Sequence, residues 1–121
     1  MNIEMLKNAG IDYDGGVKRF MGRAHLYTKT LSKFPGDGTI GRIREDYING
    51  DLTALLQDAH EFKGMCGNMS ITHLAHTADR IVSMLRADTV DSAGLEAAMK
   101  SLNTEYTAVK DAILMAMEVS Q

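Results

Sequence analysis

The sequence predicts an all-α protein: an antiparallel up-and-down four-helix bundle with short helices at its N-terminus. Three observations carry that expectation. Pro35 is the single proline, so no backbone breaker of that kind occurs from Gly36 to Gln121. Aromatic residues make up only 6% of the chain while methionine occurs nine times, a mix that favours helix over sheet. Apolar residues recur at spacings of three and four, and strict period-two alternation is absent. At 121 residues and 45% hydrophobic, the chain is long enough for one domain with a real core and short for two. A single domain over 1–121 is therefore expected, with a helical lead-in over 1–22 and the bundle over 24–118.

Turn chemistry separates the elements. A first short segment carries Ile3 and Leu6 and ends at Gly10. The Asp12–Gly16 cluster reads as a break before a second segment with Val17, Phe20 and Met21, which Gly22 closes. The third, Ala24 to Phe34, places Tyr27, Leu31 and Phe34 at helical spacing before Pro35-Gly36-Asp37-Gly38 stops it. The fourth runs from Thr39 to Ile48, with Ile40, Ile43 and Tyr47 on one side, and Asn49-Gly50 ends it. Asp51 is then a natural N-cap for a fifth helix reaching about Gly67, whose stripe is Leu52, Leu55, Leu56, Ala59, Phe62 and Cys66. Beyond the Asn68-Met69-Ser70 loop, a sixth helix to Arg86 carries Leu74, Ala78, Ile81 and Leu85. Asp91 or Ser92 caps the last. There Leu95, Met99, Leu102, Tyr106, Val109, Ile113 and Met117 alternate in steps of four and three, a heptad seam.

Composition excludes several classes. The longest apolar run, Ala112–Met117, is far too short to span a bilayer, and the first residues do not read as a secretory signal. A single cysteine, Cys66, rules out an internal disulfide and suits a reducing cytoplasm. A net charge of −3 with mixed signs argues against a general nucleic-acid binder. No phosphate-binding glycine loop is present, so self-phosphorylation from ATP is not expected.

The chemistry concentrates on the fifth helix. On a helical wheel, His60 falls roughly 100° from the centre of the apolar stripe, beside Thr53, Gln57, Gly64 and Gly67. Each helical glycine costs up to ~1 kcal/mol relative to alanine. Two of them, one and two turns beyond a histidine, suggest that another protein must approach the imidazole where side chains would block it. Lys63 lies one turn on, its stem along apolar surface and its ammonium outward. An imidazole that is neutral near pH 7 is a competent nucleophile, and Lys63 would partly neutralise a phosphoryl group placed on it.

Ala59-His60-Glu61-Phe62-Lys63-Gly64-Met65-Cys66-Gly67 resembles the signature of histidine-containing phosphotransfer (HPt) domains of bacterial phosphorelays. Asn49-Gly50-Asp51-Leu52 is similar to the family's turn before its active helix, Leu74 and Ala78 fit its following helix, and Gly16 to Phe34 resembles its lead-in. The resemblance implies a phosphorelay carrier, not an enzyme and without autokinase activity. His60 would accept a phosphoryl group on Nε2 and exchange it with aspartates of response-regulator receiver domains, with Lys63 assisting. It implies a hybrid sensor histidine kinase upstream and a cytoplasmic monomer with no membrane or nucleic-acid partner. No cofactor is expected on this chain, Mg²⁺ belonging to the receiver. Thr53, Gln57, Gly64 and Gly67 would border the partner surface from the active helix. Ala75, Asp79, Val82 and Arg86 would do so from the next, if the two helices fold back about residue 69.

Two positions depart from the family pattern. Ser70 stands where many members have a second loop glycine. Val82 stands where several carry a Gln or Glu near the ring, and could offer a partner a small apolar surface instead. Two rival readings remain: a non-phosphorylated interaction module, and a small metal-binding bundle using His73 and His76. The second lacks a third ligand and any Glu-x-x-His segment, so no metal site is expected. Both histidines then read as solvated, and Cys66 as a small core residue.

Overall fold

The computed structural model describes residues 1–119. Among them are α1 (Ile3–Asn8), α2 (Tyr13–Arg19), α3 (Ala24–Leu31), a 3-10 turn (Phe34–Gly36), α4 (Thr39–Ile48), α5 (Leu52–Asn68), α6 (Thr72–Arg86) and α7 (Ser92–Val119), and no strand. The protein is all-helical. Caps explain most of the boundaries. Asn2, Asp12, Asp51 and Asp91 each accept a hydrogen bond from a first-turn amide, at 3.3, 3.1, 3.1 and 3.1 Å respectively.

The core is the sum of the helices' inner stripes. Leu55, Ala59, Phe62 and Cys66 of α5 meet Leu74, Ala78, Ile81 and Val82 of α6, and the α7 seam from Leu95 to Ile113 closes over them. Sequence neighbours pack together: α5 makes its most extensive contact with α6, and further contacts join α4 to α5 and α6 to α7. Between α4 and α7, Arg44 Nε donates to Asn103 Oδ1 at 2.7 Å, and its guanidinium lies 5.4 Å from the Tyr106 ring centre. Phe34 packs between the Phe62 and Tyr106 rings. Buried Thr77 of α6 donates to Glu105 of α7 at 2.6 Å.

Three local expectations need correction. The Asp12–Gly16 cluster is not a break: Asp12 caps α2, and Gly15 and Gly16 lie inside it. Gly16 is there because a Cβ would run into the Tyr27 ring, whose burial close to the α2 backbone lets α2 and α3 approach. The third helix stops at Leu31 instead of Phe34, which sits in the separate 3-10 turn held by Pro35. Met21 does not extend the apolar stripe of α2. It occupies a left-handed turn (φ 58°) before Gly22 and is 87% exposed.

The α4 and α5 helices end alike. At α4, the Gly50 amide bonds the Tyr47 carbonyl and the Asp51 amide bonds the Asp46 carbonyl. At α5, the Ser70 amide bonds the Gly67 carbonyl and the Ile71 amide bonds the Cys66 carbonyl. Both are Schellman motifs, which place the residue after the C-cap in the left-handed region. Gly50 takes φ 67° at no steric cost, whereas Ser70 takes φ 56° and is buried. The loop serine thus makes the turn that a glycine would make, with side-chain strain.

Candidate functional site

His60 projects from the outer face of α5 into solvent. Among the described residues none hydrogen-bonds its ring. It lines a shallow groove of about 570 Å³ with Phe20, Thr30, Glu61, Gly64, Met65, Asn68 and Met69. One wall therefore comes from α3 and from the end of α2. Tyr27 anchors that wall by donating its hydroxyl to the Met69 carbonyl at 2.7 Å, and burial raises the phenol above its ordinary pKa.

Gly64 and Gly67 are not packing glycines. A Cβ built on either meets nothing within 4 Å, in contrast to Gly10 and Gly16, where it would collide with His73 and Tyr27. Nothing in the fold therefore demands their bareness, although each weakens the helix. The two do not share one depression. Gly64 opens into the His60 groove, while Gly67 lines a second groove of about 580 Å³ with Ala75 and His76 of α6 and Lys18 and Arg19 of α2.

Charge is divided between the flanks of α5. Toward α4, Arg42 sits 3.5 Å from Asp58 and 3.2 Å from Glu61. Asp58 also faces Asp46 of α4. Two carboxylates can hydrogen-bond each other only if one holds a proton, and that bond, helped by burial and by the Asp58 charge, raises Asp46 to about 6. Asp46 Oδ2 is itself buried with no hydrogen-bond partner. Toward α6, Lys63 Nζ lies 2.8 Å from Asp79 Oδ1, with the two side chains 39% and 53% exposed. This hydrogen bond and the Lys63 charge hold the Asp79 carboxyl below its ordinary value. Lys63 thus leans onto α6 instead of projecting free.

The other candidates fall as follows. Thr53 and Gln57 are exposed on the His60 face, toward the N-terminal end of α5, and Arg86 is exposed at the end of α6. Val82 is a correction. At 1% exposure it belongs to the core stripe of α6 with Leu74, Ala78 and Ile81, so it offers no surface to a partner. His73 is exposed but backs onto Gly10. Among the described residues no three His, Cys, Asp or Glu side chains gather as metal ligands would. Cys66 is fully buried, and burial pushes its thiol up, so it stays protonated and unreactive. No helix among the described residues is long and apolar enough to cross a membrane.

Sequence reasoning missed the α2–α3 wall and the acidic pair Asp46–Asp58. Both depend on contacts between segments far apart in the chain, for which helical periodicity carries no signal.

Fold and site together define a helical domain that displays an exposed histidine, His60, in an open groove on the outer face of a long helix. The family model of the Hpt domain matches residues 36–112, and the chain belongs to that family. Hpt domains carry out histidine phosphotransfer in phosphorelays, with receiver domains and histidine kinases as partners. No curated protein and no solved structure matches the chain.

Proposed function

We propose that His60 is the phosphoacceptor of this Hpt domain, and that α4–α7 form the antiparallel up-and-down four-helix bundle that presents it. The observation that carries this reading is a bare helical glycine, Gly64, in the same groove as an open imidazole. Its absent side chain answers no need of the fold, and its place beside His60 fits the approach of a docking partner.

The Nε2 lone pair of the neutral imidazole attacks phosphorus of a receiver's phosphoaspartate. The N–P bond forms as the P–O bond to the aspartyl carboxylate breaks, and the carboxylate leaves with the electron pair. The ring, now bearing the phosphoryl group, can release its Nδ1 proton to solvent. Transfer to a second receiver is the same step reversed. Lys63 offsets the charge of the phosphoryl oxygens, and Gly64 leaves room for the receiver's loops. Exposed Thr53, Gln57 and Arg86 border the docking surface, with Gly67, Ala75 and Asp79 on its α6 side. Mg²⁺ and the acceptor aspartate belong to the partner. This chain then acts as a cytoplasmic monomeric carrier between a hybrid kinase and its regulators, turning over no substrate of its own.

Incubation with a phosphorylated receiver domain tests the reading. Wild type should take up acid-labile, alkali-stable label and His60→Gln should take up none. Equal labelling of the variant would refute the assignment, and a chain that binds the receiver without label would be an interaction module.

A further inference from the structure

The position of Lys63 has a consequence for the loaded carrier. Lys63 is the single cation in the sequence of α5, and it lies one turn from His60, within reach of anything bound to the ring. Its ammonium is already paired with Asp79 at 2.8 Å across the most extensive helix contact of the fold. Glu61, the acidic neighbour of His60, is served separately by Arg42. Lys63 and Asp79 are therefore each other's ion-pair partners, and any anion arriving on His60 must share Lys63 with Asp79.

We propose that Asp79 is a positioning residue for phosphotransfer: it holds Lys63 against α6 in the empty carrier and competes with the phosphoryl oxygens for it in the loaded one. This rests on His60 being the phosphoacceptor.

Two effects act in one direction. The Asp79 carboxylate draws the ammonium away from the phosphoryl group, and it repels that group directly. Both raise the energy of the loaded state relative to the empty one, which keeps the phosphoryl group transferable instead of trapped. The pair is half exposed, so Lys63 can leave it readily when the phosphoryl group arrives. Asp79 is also the one acidic residue of α6, where His76 and Arg86 stand near it and temper its charge.

The test needs no cognate partner. Phosphoramidate transfers its phosphoryl group to histidine, forming the N–P bond of phosphohistidine as its own N–P bond breaks and ammonia leaves. Titration with ammonium then returns the equilibrium constant for loading, read by phosphorus NMR. Asp79→Asn should raise that constant by about three- to tenfold and slow hydrolysis of the loaded protein. Asp79→Glu should restore the wild-type value. In a Lys63→Ala background, Asp79→Asn should have at most half its effect in logarithmic units, since only direct repulsion remains. The thermal midpoint of Asp79→Asn should stay near wild type, separating the effect from a loss of fold.

An unchanged or lowered constant for Asp79→Asn would overturn the proposal while leaving His60 as acceptor, provided wild type loads and His60→Gln does not. An effect of undiminished size without Lys63 would overturn it too, showing charge repulsion alone. Loading that survives His60→Gln would remove this inference together with the functional reading beneath it.

Discussion

On its inner side α5 presents Leu55, Ala59, Phe62 and Cys66, each at most 1% exposed, while one third of a turn away His60 and Gly64 meet solvent. The inner residues are held by volume: they belong to one buried core with the inner stripes of α6 and α7, and space removed there is not refilled cheaply. The outer residues are held by nothing in the fold. Around His60 the helix has room for side chains that it does not carry. Gly64 is under no structural demand, and its place in the His60 groove points to a demand from outside. The inner face makes the domain stable, and the outer face makes it useful.

The contrast can be broken from either side. The largest effect belongs to the interior. Phe62→Ala should lower stability by about 3–5 kcal/mol, measured by denaturant unfolding, because the ring fills the space against Phe34. A loss below about 1 kcal/mol would mean that the inner face is not close-packed. Gly64→Gln should behave in the opposite manner. Phosphotransfer from a receiver should fall by about 100-fold, roughly 2.7 kcal/mol of barrier, while the thermal midpoint holds or rises. Transfer at the wild-type rate would remove the argument that bare glycines serve access.

Between the two faces lies the α4 flank, where Asp46 titrates near 6, above the ordinary carboxylate value of 3.8. The folded state therefore binds the proton more tightly than the unfolded one. The stability this contributes is full below the unfolded value and is lost as pH rises through about 6. Asp46→Asn keeps a donor facing Asp58 at every pH. Its thermal midpoint should match wild type near pH 4 and exceed it by about 3 °C at pH 8. A difference independent of pH would show that the two carboxyls do not share a proton. The smallest effect is expected at the end of the helix. Ser70→Gly should stabilise by about 0.5–1 kcal/mol, since the left-handed backbone there strains a side chain. A destabilised variant would mean that the buried serine contributes more by packing than it costs in strain.

Much of this was legible in the residues alone. The apolar stripes of α4, α5 and α7 follow directly from helical spacing, and Asp51 and Asp91 mark helix starts by their chemistry. The His60 segment stood out because glycines and a lysine at that spacing on a helix are expensive unless used. What escaped depended on neighbours distant in the chain. Gly15 and Gly16 read as a loop because nothing near them announces the Tyr27 ring that makes a bare backbone necessary. Folding α6 back along α5 about residue 69 sets Val82 beside His60, yet Val82 repeats the spacing of Leu74 and Ala78 and so belongs to the core by periodicity. The Lys63–Asp79 pair is symmetric about Ile71, not Met69, and that small difference in register decides which α6 side chain meets the lysine.

The central claim, that one histidine of four carries the phosphoryl group, is tested most directly by locating that group. The protein should be loaded from a phosphorylated receiver domain, digested under alkaline conditions and sequenced by mass spectrometry. The account predicts the phosphoryl group on His60 alone. A phosphoryl group on His25, His73 or His76, with His60 unmodified, would contradict it.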